Sequence, residues 1–205
     1  MAALPVDRDF HLTLFGSSPL QLAIEPSFIS GDVDLFADES REAVAAVLAE
    51  IGLDNPEREI YVQLCVEGNF RTSPRWKERA WTTQIGRIAL RLPHPIDILI
   101  AKLHRCAEKD LRAYSLVIER MGHPTEEEMR EELQFAVDLY RPNFDEEMIG
   151  DITTNTRVLW NELWKKEIDV RREIIAPALA RRRAGYEPDI PRQDYRAELR
   201  RLSEE

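Results

Sequence analysis

Two aspartates separated by one residue, Asp32-Val33-Asp34, form the most chemically suggestive spacing in this sequence. In an extended segment side chains alternate between faces, so Asp32 and Asp34 project together while Val33 and Leu35 turn into a core. Two carboxylates held side by side repel each other and stay ionised together only beside a cation or strong hydrogen-bond donors. Mg2+ (or Mn2+) suits such a pair, because it takes oxygen ligands and shares its coordination sphere with substrate phosphates. A second cation nearby could activate an attacking oxygen. Acid-x-acid is also the pattern of a solvated strand face, so the neighbouring residues have to decide.

Fifteen residues upstream of Asp32 the chain reads Phe15-Gly16-Ser17-Ser18. A strand that ends in Gly-Ser and leads into a helix exposes backbone N–H groups, which suit phosphate. Gly16 would let a ligand approach the backbone, and the Ser17 hydroxyl would add a donor.

These residues need a scaffold, and the hydrophobic pattern supplies one. Phe10 to Phe15 alternates apolar and polar residues and stops at Gly16-Ser17-Ser18-Pro19, a strand and a turn. Ile29 to Phe36 is a second short strand. Ser40 caps a helix to about Ile51, with Gly52 behind its end. Glu59 to Val66 is strand-like, and the segments Trp81 to Ile85 and Ile88 to Leu92 form a hairpin about Gly86-Arg87. After Pro93-His94-Pro95 the spacing becomes helical, over Ile96 to Cys106 and Leu111 to Met121, ending at Gly122. Thr125-Glu126-Glu127-Glu128 is a capping box for a helix to about Tyr140. Beyond Asn143 an Arg-rich helical region runs to Ala184, with a break expected near Thr153-Thr154-Asn155 and a kink at Pro177. Strands cluster before residue 93 and helices after it, which predicts an α+β fold: a mixed sheet flanked by helices, then a helical C-terminal half. The expected division is a core over 1–122 and a helical extension with a basic tail over 123–205.

The order strand, Gly-Ser, helix, Ser-x-Asp-h-Asp-h (h, hydrophobic) resembles the signature of the nucleotidyltransferase superfamily, with its polymerase-β-like fold. Within it the chain most resembles the minimal and abortive-infection AbiEii-type members. The resemblance covers roughly Leu12 to Met121. It implies that Gly16 and Ser17 cradle a nucleoside triphosphate, that Ser30 fills the small hydroxyl position before the first aspartate, and that Asp32 and Asp34 bind metal. Further on, Arg75-Trp76-Lys77-Glu78-Arg79, the hairpin and Pro95-Ile96-Asp97 to Leu103 are similar to the family's W-x-x-R, hairpin and P-x-D-h-h-x-x-K-h helix. There Lys102 would contact the phosphates and Asp110 would belong to a later acidic motif, although Ala113 stands where a further Asp is common. The family adds a third acid on a neighbouring strand. Tyr61, Gln63, Cys65 and Glu67 share one strand face, Gln63 holds the central place, and Glu67 is the ionisable candidate for third ligand or general base. Phe28 replaces the basic residue often found before the Ser.

The implied activity is transfer of a nucleoside monophosphate from an NTP to an RNA 3′ end (tRNA, for instance) or a protein hydroxyl, in a toxin-type enzyme with an antitoxin partner. The alternative is a degenerate relative on the same fold, binding nucleotide or acting as a regulatory or interaction module. That reading rests on Gln63 and Phe28.

Composition narrows the field. The 205 residues carry a net charge of −10, which argues against broad binding to a phosphate backbone. From Arg157 onward twelve Lys and Arg face ten Asp and Glu, leaving an excess of twelve acids in the preceding part. The richest apolar stretch, Ile96 to Leu103, is interrupted by Asp97 and Lys102, so no membrane span is expected. With no basic-then-apolar leader and two separated cysteines, Cys65 and Cys106, free thiols in the cytoplasm are the expectation. His11, His94, His104 and His123 lack zinc spacing, and there is no Walker loop or serine elbow. Trp76, Trp81, Trp160 and Trp164 read as core or interface residues before base-stacking ones, and the Arg181-Arg182-Arg183 run as a solvated helix face before an RNA contact.

Overall fold

The computed structural model describes residues 10–26, 31–37, 41–141 and 151–184. Ser30, Phe28, the Ser40 cap and the tail from Gly185 to Glu205 lie outside these residues. Five strands form one mixed sheet: β1 (Phe10–Leu14), β2 (Asp32–Ala37), β3 (Tyr61–Leu64), β4 (Trp81–Ile85) and β5 (Ile88–Leu92), in the spatial order β3-β2-β1-β5-β4. β1 runs antiparallel to β2 and parallel to β5, while β2 and β3 are parallel. The described residues contain eight α-helices: α1 (Ser18–Ala23), α2 (Arg41–Ile51), α3 (Trp76–Arg79), α4 (Pro95–Lys102), α5 (Glu108–Met121), α6 (Glu126–Phe135), α7 (Ile152–Trp164) and α8 (Ala176–Arg183). The α+β layout, with strands early and helices late, is the one the hydrophobic pattern predicts.

The two faces of the sheet carry different loads. Leu35 and Ala37 of β2, with Leu12, Leu14, Val62 and Leu64, pack on Val44 and Leu48 of α2. The opposite face, through Phe15, Phe36 and Cys65, meets a much larger core built from α4 to α7 and the segment before α8, which includes Leu99, Tyr114, Leu133, Trp160 and Ile174. That core draws on residues from both sides of position 122. Trp76 and Trp160 are core residues, whereas Trp81 is 44% exposed on the edge hairpin. The stripe Leu159, Leu163 and Ile174 packs on the body. Arg182 is forked onto Asp138 at 2.9 and 2.7 Å, and Arg181 donates to Gln134 Oε1 at 2.6 Å, so the basic run fastens α8 to the preceding helical layer. No helix among the described residues is long and apolar enough to cross a membrane.

Local differences from the sequence pattern have identifiable causes. β3 is shorter than the Glu59–Val66 pattern, because Arg41 takes the Leu64 and Cys65 carbonyls at 3.0 and 2.5 Å and ends the ladder. The helix expected to reach Cys106 stops at Lys102, where a turn leads to Cys106 with φ +47°. No break occurs at Thr153-Thr154-Asn155. The Asp151 carboxylate accepts from Thr153 N and Thr154 N, so these residues open α7 instead of interrupting it. The chain breaks after Trp164, where Lys165 turns left-handed. Pro177 sits in the first turn of α8, directly after a π-helical turn over Arg171–Ile175. This accommodates a residue that cannot donate a backbone hydrogen bond.

Candidate functional site

The antiparallel register of β1 and β2 brings the two informative sequence segments together. Leu14 pairs with Leu35, and Phe15 N donates to Asp34 O at 2.8 Å. The chain then turns at Gly16, φ +62°, against the Asp34 side chain, and a Cβ at Gly16 would collide with Asp34 Oδ2. Two separate demands therefore fall on one glycine, a left-handed backbone and room for a carboxylate.

Lys102, at the end of α4, closes the arrangement from the helical side. Its Nζ donates to Ser17 Oγ at 2.9 Å and lies 3.5 Å from Asp110 Oδ1. Lys102 is buried, so it is no surface lysine reaching for solvent. Burial lowers its pKa, an effect opposed by Asp110. Asp34 is half-buried with its pKa raised, first by burial and also by Asp32. The Cys65 thiol and the charge of Lys102 oppose that rise. The influence of Asp32 on Asp34 agrees with their sharing one face of β2, and Lys102 is a cation acting on Asp34.

Asp110 sits in the first turn of α5 with every lone-pair direction in use. Oδ1 accepts from Arg105 Nη2 at 2.6 Å and from Lys102 at 3.5 Å, and Oδ2 accepts from Arg105 Nε at 2.8 Å and Ala107 N at 3.0 Å. The side chain, 1% exposed, organises cations and has no oxygen left for a ligand. Asp110, expected as a ligand-binding acid, is thus placed behind Lys102 and Arg105.

The placement of Glu67 is a correction. Glu67 was expected on the strand face, but β3 ends at Leu64 and Glu67 opens a single 3-10 turn, its carboxylate 2.5 Å from Lys77 Nζ. The residue registered on Asp34 is Gln63, and the side chain that touches it is Cys65, whose Sγ donates to Asp34 Oδ1 at 3.5 Å. Burial and Asp34 push the Cys65 thiol up to about 12, so it remains a neutral donor. Cys65 and Cys106 are both free.

The structure therefore brings together Gly16, Ser17, Asp32, Asp34, Lys102 and Asp110 and leaves Glu67 on Lys77; Ser30 lies outside the described residues. Three participants have no role in the site on the sequence reading: Arg105, Cys65 and Asn155. Asn155, in the first turn of α7, donates to Leu103 O at 2.6 Å and accepts from Cys106 Sγ at 3.8 Å, bracing the turn that carries Arg105. The sequence offers one hint of this, since a Lys, an Arg and an Asp fall within nine residues around a helix boundary.

The Trp76-x-x-Arg79 and Pro95-x-Asp97 motifs prove to be scaffold. Trp76 packs edge-on against Phe15 and Phe70. Arg79 forks onto Asp97, Nε–Oδ2 3.1 Å and Nη2–Oδ1 2.6 Å, and its Nη1 lies 2.8 Å from Glu132 Oε1. Burial pushes the Asp97 carboxyl up to about 6 against the pull of Arg79, so it is ionised at neutral pH.

No group of three or more His, Cys, Asp or Glu among the described residues is arranged to hold a metal ion. The two carboxylates Asp32 and Asp34 nevertheless fit Mg2+, which is commonly held by one or two carboxylates plus water and substrate phosphate. Gly16 leaves Asp34 Oδ2 the necessary clearance. Comparison of the chain with protein-family models, with curated proteins and with solved structures returns no match.

Proposed function

We propose that the protein is a metal-dependent nucleotidyltransferase of the polymerase-β-like, AbiEii-like type, transferring a nucleoside monophosphate from an NTP to the hydroxyl of an RNA 3′ end or of a protein. The observation that carries this reading is the packing of a left-handed Gly16 on the Asp34 carboxylate, with Lys102 Nζ on Ser17 Oγ. A phosphate cradle, a carboxylate pair and a cation thus share one small volume.

Asp32 and Asp34 would hold Mg2+, which when bound supplies charge neutralisation and polarisation of the phosphoryl oxygens. In the site Asp32, Asp34 and Asp110 face Lys102 and Arg105, so the unliganded cluster carries one negative charge too many to welcome polyphosphate. Nucleotide binding should therefore require the divalent cation. Gly16 and Ser17 would hold the triphosphate, and Lys102 would neutralise phosphate charge. The acceptor oxygen forms its bond to the α-phosphorus as the bond to the bridging oxygen breaks. Pyrophosphate leaves and the hydroxyl proton passes to solvent. The chain contributes mainly positioning and electrostatics.

The experiment is incubation of the protein with Mg2+, each labelled nucleoside triphosphate in turn and total RNA. The label should move to RNA or protein, and Asp32→Asn and Asp34→Asn should stop it while the melting temperature is kept. Nucleotide binding without transfer would favour a second reading, a nucleotide-binding protein on the same scaffold. Gln63 opposite Asp34 and the neutral Cys65 thiol on its Oδ1 support that reading, because neither brings a third carboxylate to the pair. Absence of any nucleotide binding would remove both readings.

A further inference from the structure

We infer that Arg105, locked in place by Asp110, is the second phosphate-gripping cation of this site, working beside Lys102; the inference rests on the nucleotide-binding reading of the cluster. Arg105 comes just after α4, in the turn to α5. Two of its guanidinium nitrogens are committed to Asp110, Nε at 2.8 Å and Nη2 at 2.6 Å, while Nη1 engages no acceptor among the described residues. The side chain is 39% exposed although its carboxylate partner is 1% exposed. One edge of the guanidinium is therefore fixed on a buried anchor and the other is open. A planar fork held along one edge loses little further freedom when the other meets a phosphate, which is the setting in which arginine outperforms lysine.

The surroundings place Arg105 in the same cluster as the carboxylate pair. Asp110 holds both Lys102 and Arg105, Lys102 reaches Ser17, and Ser17 follows the glycine packed on Asp34. The charge of Asp32 acts on Arg105 as well. Arg105 thus belongs to the same charged cluster as Lys102 and Asp32, in which Asp32 and Asp34 would hold the cation. The turn itself is unusual for a non-glycine sequence. Cys106 adopts φ +47°, and Asn155 of α7 holds the Leu103 carbonyl at 2.6 Å. A backbone outlier kept in place by a neighbouring helix is expected where a side chain must be aimed. Asp110 is a positioning residue in this scheme, acting through the two cations.

The probe is inorganic triphosphate with Mg2+, titrated into the full-length protein by calorimetry. Arg105→Ala should weaken binding roughly tenfold to a hundredfold, the worth of a charge-assisted contact, and Arg105→Lys should recover only part of it. Asp110→Asn should also weaken binding, and its effect should shrink when Arg105 is already alanine, a coupling that a merely structural Asp110 would not show. Thermal melting of each variant checks folding, and a Lys165→Ala variant serves as a control for nonspecific charge loss. If Arg105→Ala binds like the parent while Lys102→Ala does not, Arg105 has no such role and the nucleotide reading survives. If the parent protein binds neither triphosphate nor nucleoside triphosphate, both fall together.

Discussion

Two arginine–aspartate forks lie a helix apart in this molecule, built with the same atoms and put to different ends. Arg79 meets Asp97 and Arg105 meets Asp110 through the same pairing, Nε to Oδ2 and Nη2 to Oδ1. The first fork is closed. Asp97 is fully buried, Glu132 takes the remaining edge of Arg79, and Thr72 donates to the Asp97 carbonyl at 2.7 Å. The second is open, with one guanidinium edge uncommitted and a lysine directed at a serine in the glycine turn. Residue chemistry does not separate scaffold from site here. What separates them is whether the remaining guanidinium edge is buried against a second carboxylate, as at Arg79, or left partly exposed without one among the described residues, as at Arg105.

The largest expected effect falls on the open side. Asp34→Asn should cost transfer on the order of a hundredfold to a thousandfold or more, using the loss of one key electrostatic group as a guide. Folding should not suffer. The raised pKa of Asp34 means that its charged form is disfavoured in the native state by burial and by Asp32. Denaturant melts at neutral pH should therefore show unchanged or increased stability; a clear decrease would mean that Asp34 is a structural group.

The closed fork should respond in the opposite way. Arg79→Met strands a buried carboxylate and should destabilise the fold by about 3–5 kcal/mol, with nucleotide affinity retained at low temperature. Without its partner, Asp97 should titrate above its value of about 6, so the loss should be smaller at about pH 5 than at about pH 8. Equal losses at both pH values would contradict the assignment of the cost to the Asp97 charge.

Gly16→Ala tests the contact between the two strands. A left-handed alanine costs about 1–2 kcal/mol, and its methyl would displace Asp34, so loss of Mg2+ binding should accompany a modest fall in stability. Mg2+-dependent nucleotide binding should also weaken on acidification at a higher pH than an ordinary aspartate would dictate. The cation competes with a proton that Asp34 holds more tightly than usual. Stability should run the other way, falling as pH rises from 3.8 through the raised value, because the folded chain binds the proton better. A binding profile flat down to about pH 4 would remove Asp34 from the cation site.

The smallest effect is expected at Glu67. Its pair with Lys77 is exposed, 42% and 51% for the two side chains. Glu67→Gln should change stability by less than about 1 kcal/mol and leave Mg2+ affinity unaltered in the same titrations. A large loss of affinity would restore it as the third acid.

Much of this architecture is legible in the chain. Alternation marks β1, β4 and β5, and the Thr125 capping box opens α6, its hydroxyl accepting from Glu128 N. The Asp32-Val33-Asp34 spacing indicates a shared face, because strand geometry is a local property with period two. Glu67 misleads for the same reason: alternation was extended past Leu64, whereas the strand ends where Arg41, distant in sequence, takes its last carbonyls. Thr153 to Asn155 read as a helix breaker until Asp151 is seen to cap them. Arg105 carried no signal of its own, since an arginine near a helix end is usually surface.

The sequence alone therefore determined most of the elements, the pairing of carboxylates on β2 and the glycine–serine turn after β1, all of which depend on interactions within a few residues. Only the tertiary structure decided that the turn meets Asp34, that Asp110 anchors Lys102 and Arg105, and that the Arg79 fork is buried between Asp97 and Glu132. Those facts depend on strand register and helix packing between residues up to eighty-five positions apart, where burial and long-range hydrogen bonds set what each charge can do.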